Sequence, residues 1–379
     1  MIIGLLGYNF ENANKGCEAL TYATLSLINK YCDKGTQIYY FSTDTLEGSV
    51  KKIYPNLKFK LIKIKFKDIS FNLLQEMKKC DLFMDITYGD NFSDIYLPKF
   101  AFKTTLLKDI VVAMGKPLLL MPQTYGPFKR KYLKKMAKFA INRAKRVYSR
   151  DPLSIDYIKT FSNKNVQLTT DLAFLLPFEK NMKSGEKKRL GINVSGLLWK
   201  GGFHEKNQFG LTVDYKQYIQ NIIEEYQDKY EIHLIPHVIE TVPESMDGDL
   251  WIIDFLAKKY PKCKKAPAFV TAIEAKSYIS NMDIFMGARM HSTIAALSTG
   301  VPVIPFSYSR KFEGLYNNLG YDYLIHGCSD TTDDAINKTN NWIRDYKNLK
   351  ENVTMAQHTL EKQLTAFEGD LKAIIQEYK

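Results

Sequence analysis

Met286-Gly-Ala-Arg-Met-His-Ser-Thr-Ile-Ala-Ala-Leu-Ser-Thr-Gly-Val-Pro-Val-Ile-Pro-Phe-Ser-Tyr-Ser-Arg-Lys311 is the stretch that decides the fold. A buried strand closes at Met286 or Gly287. Arg289 and His291 follow in a turn, and Ser292 can cap a helix running to about residue 298, because a serine hydroxyl accepts from an early helical N–H. Gly300 stops that helix, and residues 301–306 return as an apolar strand. Strand, helix and strand within so few residues make one βαβ step of a parallel sheet. The helix start also collects cations. Arg289 and His291 precede it, and Lys311 lies beyond the next strand. A helix N-terminus carries unsatisfied N–H groups and partial positive charge, so the cluster suits a small, doubly charged anion.

The same alternation extends in both directions. Residues 1–6 read as a buried strand, then a polar turn over 9–16, then a helical pattern at Leu20, Ala23, Leu27, Ile28 and Tyr31. Strand-like runs at 37–41, 57–64, 81–86 and 118–121 continue the first series. A polar stretch at 178–188 reads as a linker, after which runs at 189–194, 231–236, 283–286 and 301–306 repeat the pattern. The expectation is an α/β chain of two Rossmann-like domains, 1–180 and 188–350. Residues 351–379 form a C-terminal helix that packs back through Leu360, Leu364, Phe367, Leu371 and Ile374. Ligands of such sheets bind beyond the carboxyl ends of the strands.

The composition fits a folded chain: 379 residues, 45% hydrophobic and 25% charged. Five widely spaced cysteines, an odd count, form no CxxC and argue against a disulfide scaffold or a structural zinc site. The first residues lack a basic, signal-like segment, and no apolar run approaches membrane-spanning length, so a cytoplasmic protein is expected. The formal charge is +12, and much of it lies in residues 129–150, where ten of 22 residues are basic and none is acidic. Leu133, Met136, Ala137, Ala140, Ile141 and Ala144 give this segment a helical apolar stripe. A cationic amphipathic helix suits an anionic membrane face. A solvated helix face is the plain alternative, and without interleaved aromatics nucleic acid is not expected. Arginine is scarce, eight against 45 lysines. Arg150 and Arg289, both just past strand-like segments, are therefore singled out as planar forks for carboxylate or phosphate.

Several of these stretches resemble the polysaccharide pyruvyltransferase family. The resemblance rests on Arg289-Met-His291-Ser, Ala295-Ala296-Leu297, Gly300-Val-Pro302 and Tyr308 through Lys311. It rests also on Asn14-Lys-Gly16-Cys-Glu18-Ala19, Pro122-Gln123-Thr-Tyr-Gly126-Pro127, Ser149-Arg150-Asp151-Pro-Leu-Ser154 and Thr170-Asp171-Leu-Ala, in order over roughly residues 1–325. The resemblance implies a fold similar to GT-B glycosyltransferases. It also implies transfer of pyruvate from phosphoenolpyruvate to two hydroxyls of one sugar, giving a cyclic ketal and phosphate, with phosphoenolpyruvate as donor substrate and no cofactor. His291 is then the candidate general acid for the vinyl carbon. Arg289 would grip phosphate or carboxylate, with Ser292, Lys311 and Arg150 as further binding residues. Asn14, Gly16 and Glu18 would face the acceptor sugar, which a diphosphate lipid could carry, and Asp90 in Tyr88-Gly-Asp-Asn is a candidate base. Glu18 and Asp90 also have plain readings as a first-turn helix charge and a turn residue. Two departures stand out. Cys17 occupies a place where the family often has Asp, and residues 193–200 hold no arginine, which leaves Lys200 as the nearest cation. Two other readings compete: a GT-B glycosyltransferase using a nucleotide sugar, with Glu274 or Glu313 for the ribose, and a non-catalytic polyanion-binding protein. No metal-ligand cluster is apparent in the sequence.

Overall fold

The computed structural model describes residues 1–10, 12–43, 48–64, 70–95, 97–181, 187–203, 206–242 and 245–379. Among them the chain divides into two compact units. The first comprises Met1–Asn12, Leu20–Leu172 and Lys362–Lys379; the second comprises Ala13–Ala19 and Ala173–Glu361.

The first unit is built on a parallel sheet of β1 (Ile2–Leu6), β2 (Gln37–Ser42), β3 (Lys58–Lys63), β4 (Leu82–Asp85), β5 (Leu118–Gln123), β6 (Arg146–Ser149) and β7 (Gln167–Leu168). The strand order is β3-β2-β1-β4-β5-β6-β7. Strands buried on both faces read as continuous apolar runs, and β5, Leu-Leu-Leu-Met-Pro-Gln, is buried throughout. The strand order reverses between β1 and β4, where Leu6 lies beside Asp85 in the register.

The second unit repeats the device with β8 (Arg189–Asn193), β9 (Glu231–Leu234), β10 (Lys264–Lys265), β11 (Ile284–Gly287), β12 (Val303–Ser307) and β13 (Ile325–His326). Its order is β10-β9-β8-β11-β12-β13, all parallel. The reversal here falls between β8 and β11, where Asn193 pairs in register with Gly287. Each expected strand exists, with its bounds shifted by a residue or two.

Three boundaries differ from the expected ones. The division near the middle falls at residues 172 and 173, inside the short 3₁₀ turn Leu172–Leu175, ahead of the expected linker; residues 182–186 of that linker lie outside the described set. The basic segment is a helix only over Lys131–Arg143, after which it becomes the strand β6. The C-terminal helix is longer than expected, Tyr346–Glu377, and is shared between units. Its last part belongs to the first unit because Phe367 meets Tyr148 edge-on at 4.9 Å, while Asp370 accepts from Arg146 Nη2 at 2.7 Å and Tyr148 Oη at 2.6 Å. Leu360, Leu364, Phe367, Leu371 and Ile374 are all buried, so the apolar seam packs on the body as read.

Candidate active site

In the second unit, the β8 and β11 ends are tied by one buried network. Asn193 closes β8. Its Oδ1 accepts from the Arg289 backbone N–H at 3.0 Å, and its Nδ2 donates to the Ile235 carbonyl at 2.9 Å. Ser195 caps the short helix Gly196–Trp199. Asp249 is the hub. Its carboxylate accepts from the backbone N–H groups of Gly196 (3.1 Å), His237 (2.9 Å) and Val238 (2.9 Å), and from Arg289 Nη2 (2.8 Å) and Nε (3.2 Å). Arg289 Nη1 reaches Asp247 Oδ1 at 2.7 Å, and Nη2 also donates to the Asp247 carbonyl.

The fork of Arg289 is thus turned inward. Four of about five guanidinium N–H groups have partners, and its two carboxylates outnumber its charge. Burial opposes the cation, but Asp249 and Asp247 outweigh it and raise its pKa further. This differs from the expectation that Arg289 grips a donor anion: the fork already holds two aspartates, so the residue braces the β11 turn.

The helix after β11 starts earlier than read. It spans Met290–Ser298 with Arg289 at the N-cap position, and no side chain caps it. Ser292 lies inside the first turn, fully buried, its hydroxyl bonded to the Arg289 carbonyl at 2.7 Å. His291 is therefore a first-turn helical residue held two positions from a braced arginine.

The loop Ala13–Ala19 packs on this helix start. Asn14 Oδ1 accepts from Gly16 N–H at 2.9 Å and opens the helix Lys15–Tyr31. A Cβ built on Gly16 would lie 2.3 Å from His291 Nδ1 and 2.7 Å from its Cγ. Only glycine lets the loop lie against the imidazole. Lys15 N–H donates to the His237 carbonyl at 3.1 Å, and Lys15 Nζ donates to the Val270 carbonyl at 2.7 Å. Glu18 is fully buried, paired with Lys15 at 2.6 Å and accepting from Ala272 N–H at 3.3 Å. Within the second unit, Glu18 thus ties the loop to the start of the helix Ala272–Ile279.

His237 was not foreseen. Burial, then the positive neighbours His291, Arg289 and Lys15, push its pKa well down, so its imidazole is neutral. A sequence signal existed: Ile-Pro-His237 follows β9 at a carboxyl end. Asp247 and Asp249, in Met-Asp-Gly-Asp, were also missed. Lys200 ends the short helix with its ammonium 4.8 Å from the Trp251 ring, and Lys311 sits half-buried on the helix Arg310–Asn318 after β12.

Asp90 and Arg150 belong to the first unit. Beyond β4, Thr87, Tyr88 and Gly89 all take left-handed backbone, with φ of 38°, 56° and 88°. Such conformations in non-glycine residues cost energy and gather at functional sites. Gly7, at φ 68°, permits the turn, since a Cβ there would meet Thr87 Cα at 2.5 Å. Arg150 Nη1 pairs with Asp171 at 2.6 Å and Nε donates to Thr124 Oγ1 at 3.0 Å; Asp90 also contributes to its field. The two arginines singled out by scarcity are both forks, and both close on protein carboxylates. Among the described residues, no group of three or more His, Cys, Asp or Glu could hold a metal ion.

Residues 14–310 match the family described as polysaccharide pyruvyl transferase. The chain is 20% identical over 289 residues to the amylovoran biosynthesis protein AmsJ of Erwinia amylovora, covering 71% of this chain and 67% of that one. Among solved structures it is similar to Anabaena Alr3699/HepE in complex with UDP and glucose (TM-score 0.61, 12% identity, 99% of both chains). It is also similar to a putative UDP-N-acetylglucosamine 2-epimerase from Listeria monocytogenes (TM-score 0.57, 12% identity, 98% of this chain and 96% of that one). These likenesses make the fold GT-B-like. The family match spans most of the chain, so the chain belongs to the polysaccharide pyruvyl transferase family.

Proposed function

We propose that this enzyme transfers pyruvate from phosphoenolpyruvate to two hydroxyls of a sugar in a glycan precursor. The vinyl CH₂ gains a proton and becomes the methyl group, leaving an oxocarbenium-like carbon. One hydroxyl adds there, the C–O bond to phosphate breaks, and the second hydroxyl closes the ketal. Of the two hydroxyl protons, one balances that given to the vinyl carbon and one leaves with phosphate. His291 supplies the proton to carbon, histidine being the side chain that most often serves as a general acid. Arg289 acts as a positioning residue that holds the His291 turn. Lys200 and Lys311 are the candidate contacts for the donor's carboxylate and phosphate. The acceptor is a sugar carried on a diphosphate lipid, with the enzyme working at an anionic membrane face.

The observation that carries this reading is the seating of Gly16 on His291, which joins two family motifs far apart in sequence at one helix start. Calorimetry with phosphoenolpyruvate, run beside UDP-sugars on wild type and His291→Ala, tests it together with phosphate release in the presence of acceptor. Donor binding by both proteins, with phosphate release only by wild type, supports the assignment. Binding of a UDP-sugar without phosphoenolpyruvate would replace it with a glycosyltransferase reading.

A further inference from the structure

The basic segment 129–150 divides sharply once folded. Arg130 pairs with Asp94 (3.4 Å), Lys145 with Glu377 (2.6 Å), Arg146 with Asp370 (2.7 Å) and Arg150 with Asp171 (2.6 Å). Lys134 lies over the rings of Tyr157 and Phe161, and Arg143 over Phe139. What remains is Lys129, just ahead of the helix Lys131–Arg143, and Lys131, Lys135 and Lys138 at i, i+4 and i+7 of it, all exposed and with side chains paired with no carboxylate among the described residues.

Beside this stripe the surface turns apolar. Tyr132 is 50% exposed and its ring lies 6.4 Å from that of Phe102, which is 40% exposed on the helix Pro98–Ala113. Leu97, at that helix's N-cap position, is 68% exposed, and Lys99 on its first turn is exposed too. A cavity of about 670 Å³ lined by Thr43, Leu97, Pro98, Lys99, Phe100 and Lys103 adjoins the same residues. A water-facing surface has no reason to pair large exposed side chains with a single-sign lysine stripe. An interface between water and hydrocarbon favours both, rings and aliphatics below the headgroups and ammonium groups at them. Among the described residues no helix is long and apolar enough to cross a membrane.

We propose that the face formed by Leu97, Phe102, Tyr132, Lys131, Lys135 and Lys138 docks the enzyme on an anionic phospholipid bilayer, with the three apolar side chains inserted below the headgroups. This deepens the reading that the acceptor is lipid-carried, but its test uses neither donor nor acceptor, so the two can fail separately. The full-length chain is sedimented with vesicles of phosphatidylcholine alone and of equimolar phosphatidylcholine and phosphatidylglycerol at physiological salt. The expected result is binding to the mixed vesicles only. Binding should fall at least about a hundredfold in the triple Lys131→Glu, Lys135→Glu, Lys138→Glu variant and about tenfold in Leu97→Ser, Phe102→Ser. Urea midpoints should stay near wild type, because all five side chains are exposed. Insertion is read separately. The natural tryptophans Trp199, Trp251 and Trp342 all lie in the second unit, so Tyr132→Trp should add fluorescence that brominated lipid quenches. Equal binding to both vesicle types, wild-type binding by the triple variant, no sedimentation of wild type, or binding without added quenching would each overturn the proposal.

Discussion

At the end of β4, Asp85 pairs with Lys108 at 3.0 Å; at the end of β11, Arg289 pairs with Asp249 at 2.8 Å. Both pairs are buried at the point where a parallel sheet reverses its strand order, yet they behave oppositely. Burial pushes the Asp85 carboxyl up and the Lys108 ammonium down, and the mutual attraction only partly counters it. Arg289 is instead held more firmly charged. One difference lies in the partners of the cation: Arg289 pairs with both Asp249 and Asp247, whereas Lys108 pairs with Asp85. Asp249 also accepts three backbone N–H groups from two separate loops besides the guanidinium. Asp85 has Thr87 Oγ1 at 2.7 Å and Gln123 Nε2 at 3.3 Å. A buried charge served by several backbone groups fixes several loops at once. Under the proposed function, that is what a site needs if His291 is to be aimed.

The largest expected effect comes from removing the hub. Asp249→Ala leaves Arg289 buried with only Asp247 and strips three backbone donors of their acceptor. Loss of one partner of a buried pair costs about 3–5 kcal/mol, which urea unfolding of the variant should show as a lowered midpoint. A loss under about 1 kcal/mol would place this network among surface ion pairs and dissolve the contrast.

Gly16→Ala comes next and separates activity from stability. Alanine is the better helix former by about 1 kcal/mol, and Gly16 lies in the first turn of a helix with φ outside the left-handed region. A Cβ there must displace the His291 ring. Misplacing a catalytic group by about 1 Å can cost about a hundredfold in rate. The expectation is a thermal midpoint at or near that of wild type with phosphate release reduced about a hundredfold. Unchanged turnover would remove His291 from the chemistry.

A smaller effect is set by pH. Lys276 is buried, with its pKa lowered by desolvation to about 7, and it donates to the Phe174 carbonyl at 3.0 Å in the turn where the units divide. Its unfolded pKa is about 10.4. Between the two values the unfolded chain holds a proton that the folded chain lacks, so stability rises with pH across that window. Below the folded value both states are protonated and the slope vanishes. The slope is on the order of 1 kcal/mol per pH unit. Lys276→Met should flatten the stability–pH curve between pH about 7 and 10 relative to wild type. Parallel curves would mean the ammonium finds water in the folded state.

Much of this architecture was readable in advance, and the failures follow a rule. β5 announced itself as an unbroken apolar run, and the βαβ step through Gly300 was bounded by strand ends and a helix stop. β6 stayed hidden because it follows the basic helix after two residues with no glycine or proline between them. Arginine scarcity singled out Arg289 and Arg150, and each pairs with a buried protein carboxylate. It could not say what they grip, since Asp249 and Asp247 lie 40 and 42 residues from Arg289 and Asp171 lies 21 from Arg150. The same holds for Glu18, whose second partner is 254 residues away. Local chemistry is legible in a sequence; the partner that consumes it is set by topology.

The smallest expected effect is the most informative about the comparison itself. If the Asp85–Lys108 pair serves no aim beyond filling its site, a hydrophobic pair of similar volume should replace it at little cost. Burial already disfavours the charged form of each partner, and Lys108 lies 4.5 Å from the Phe92 ring, in surroundings that accept an apolar chain. Asp85→Leu with Lys108→Met removes both desolvated charges together. Thr87 Oγ1 loses an acceptor, while Gln123 Nε2 keeps the Asp85-position backbone carbonyl at 3.2 Å. Replacing a buried pair with well-packed apolar groups is often neutral, so the double variant should unfold within about 1 kcal/mol of wild type. Lys108→Met alone, which strands the carboxylate, should cost about 3–5 kcal/mol. The corresponding exchange of Arg289 and Asp249 should abolish turnover even where the chain folds, because backbone N–H groups at 196, 237 and 238 would be left facing an apolar side chain. If instead both junctions tolerate the exchange, or neither does, the division of labour between them is wrong.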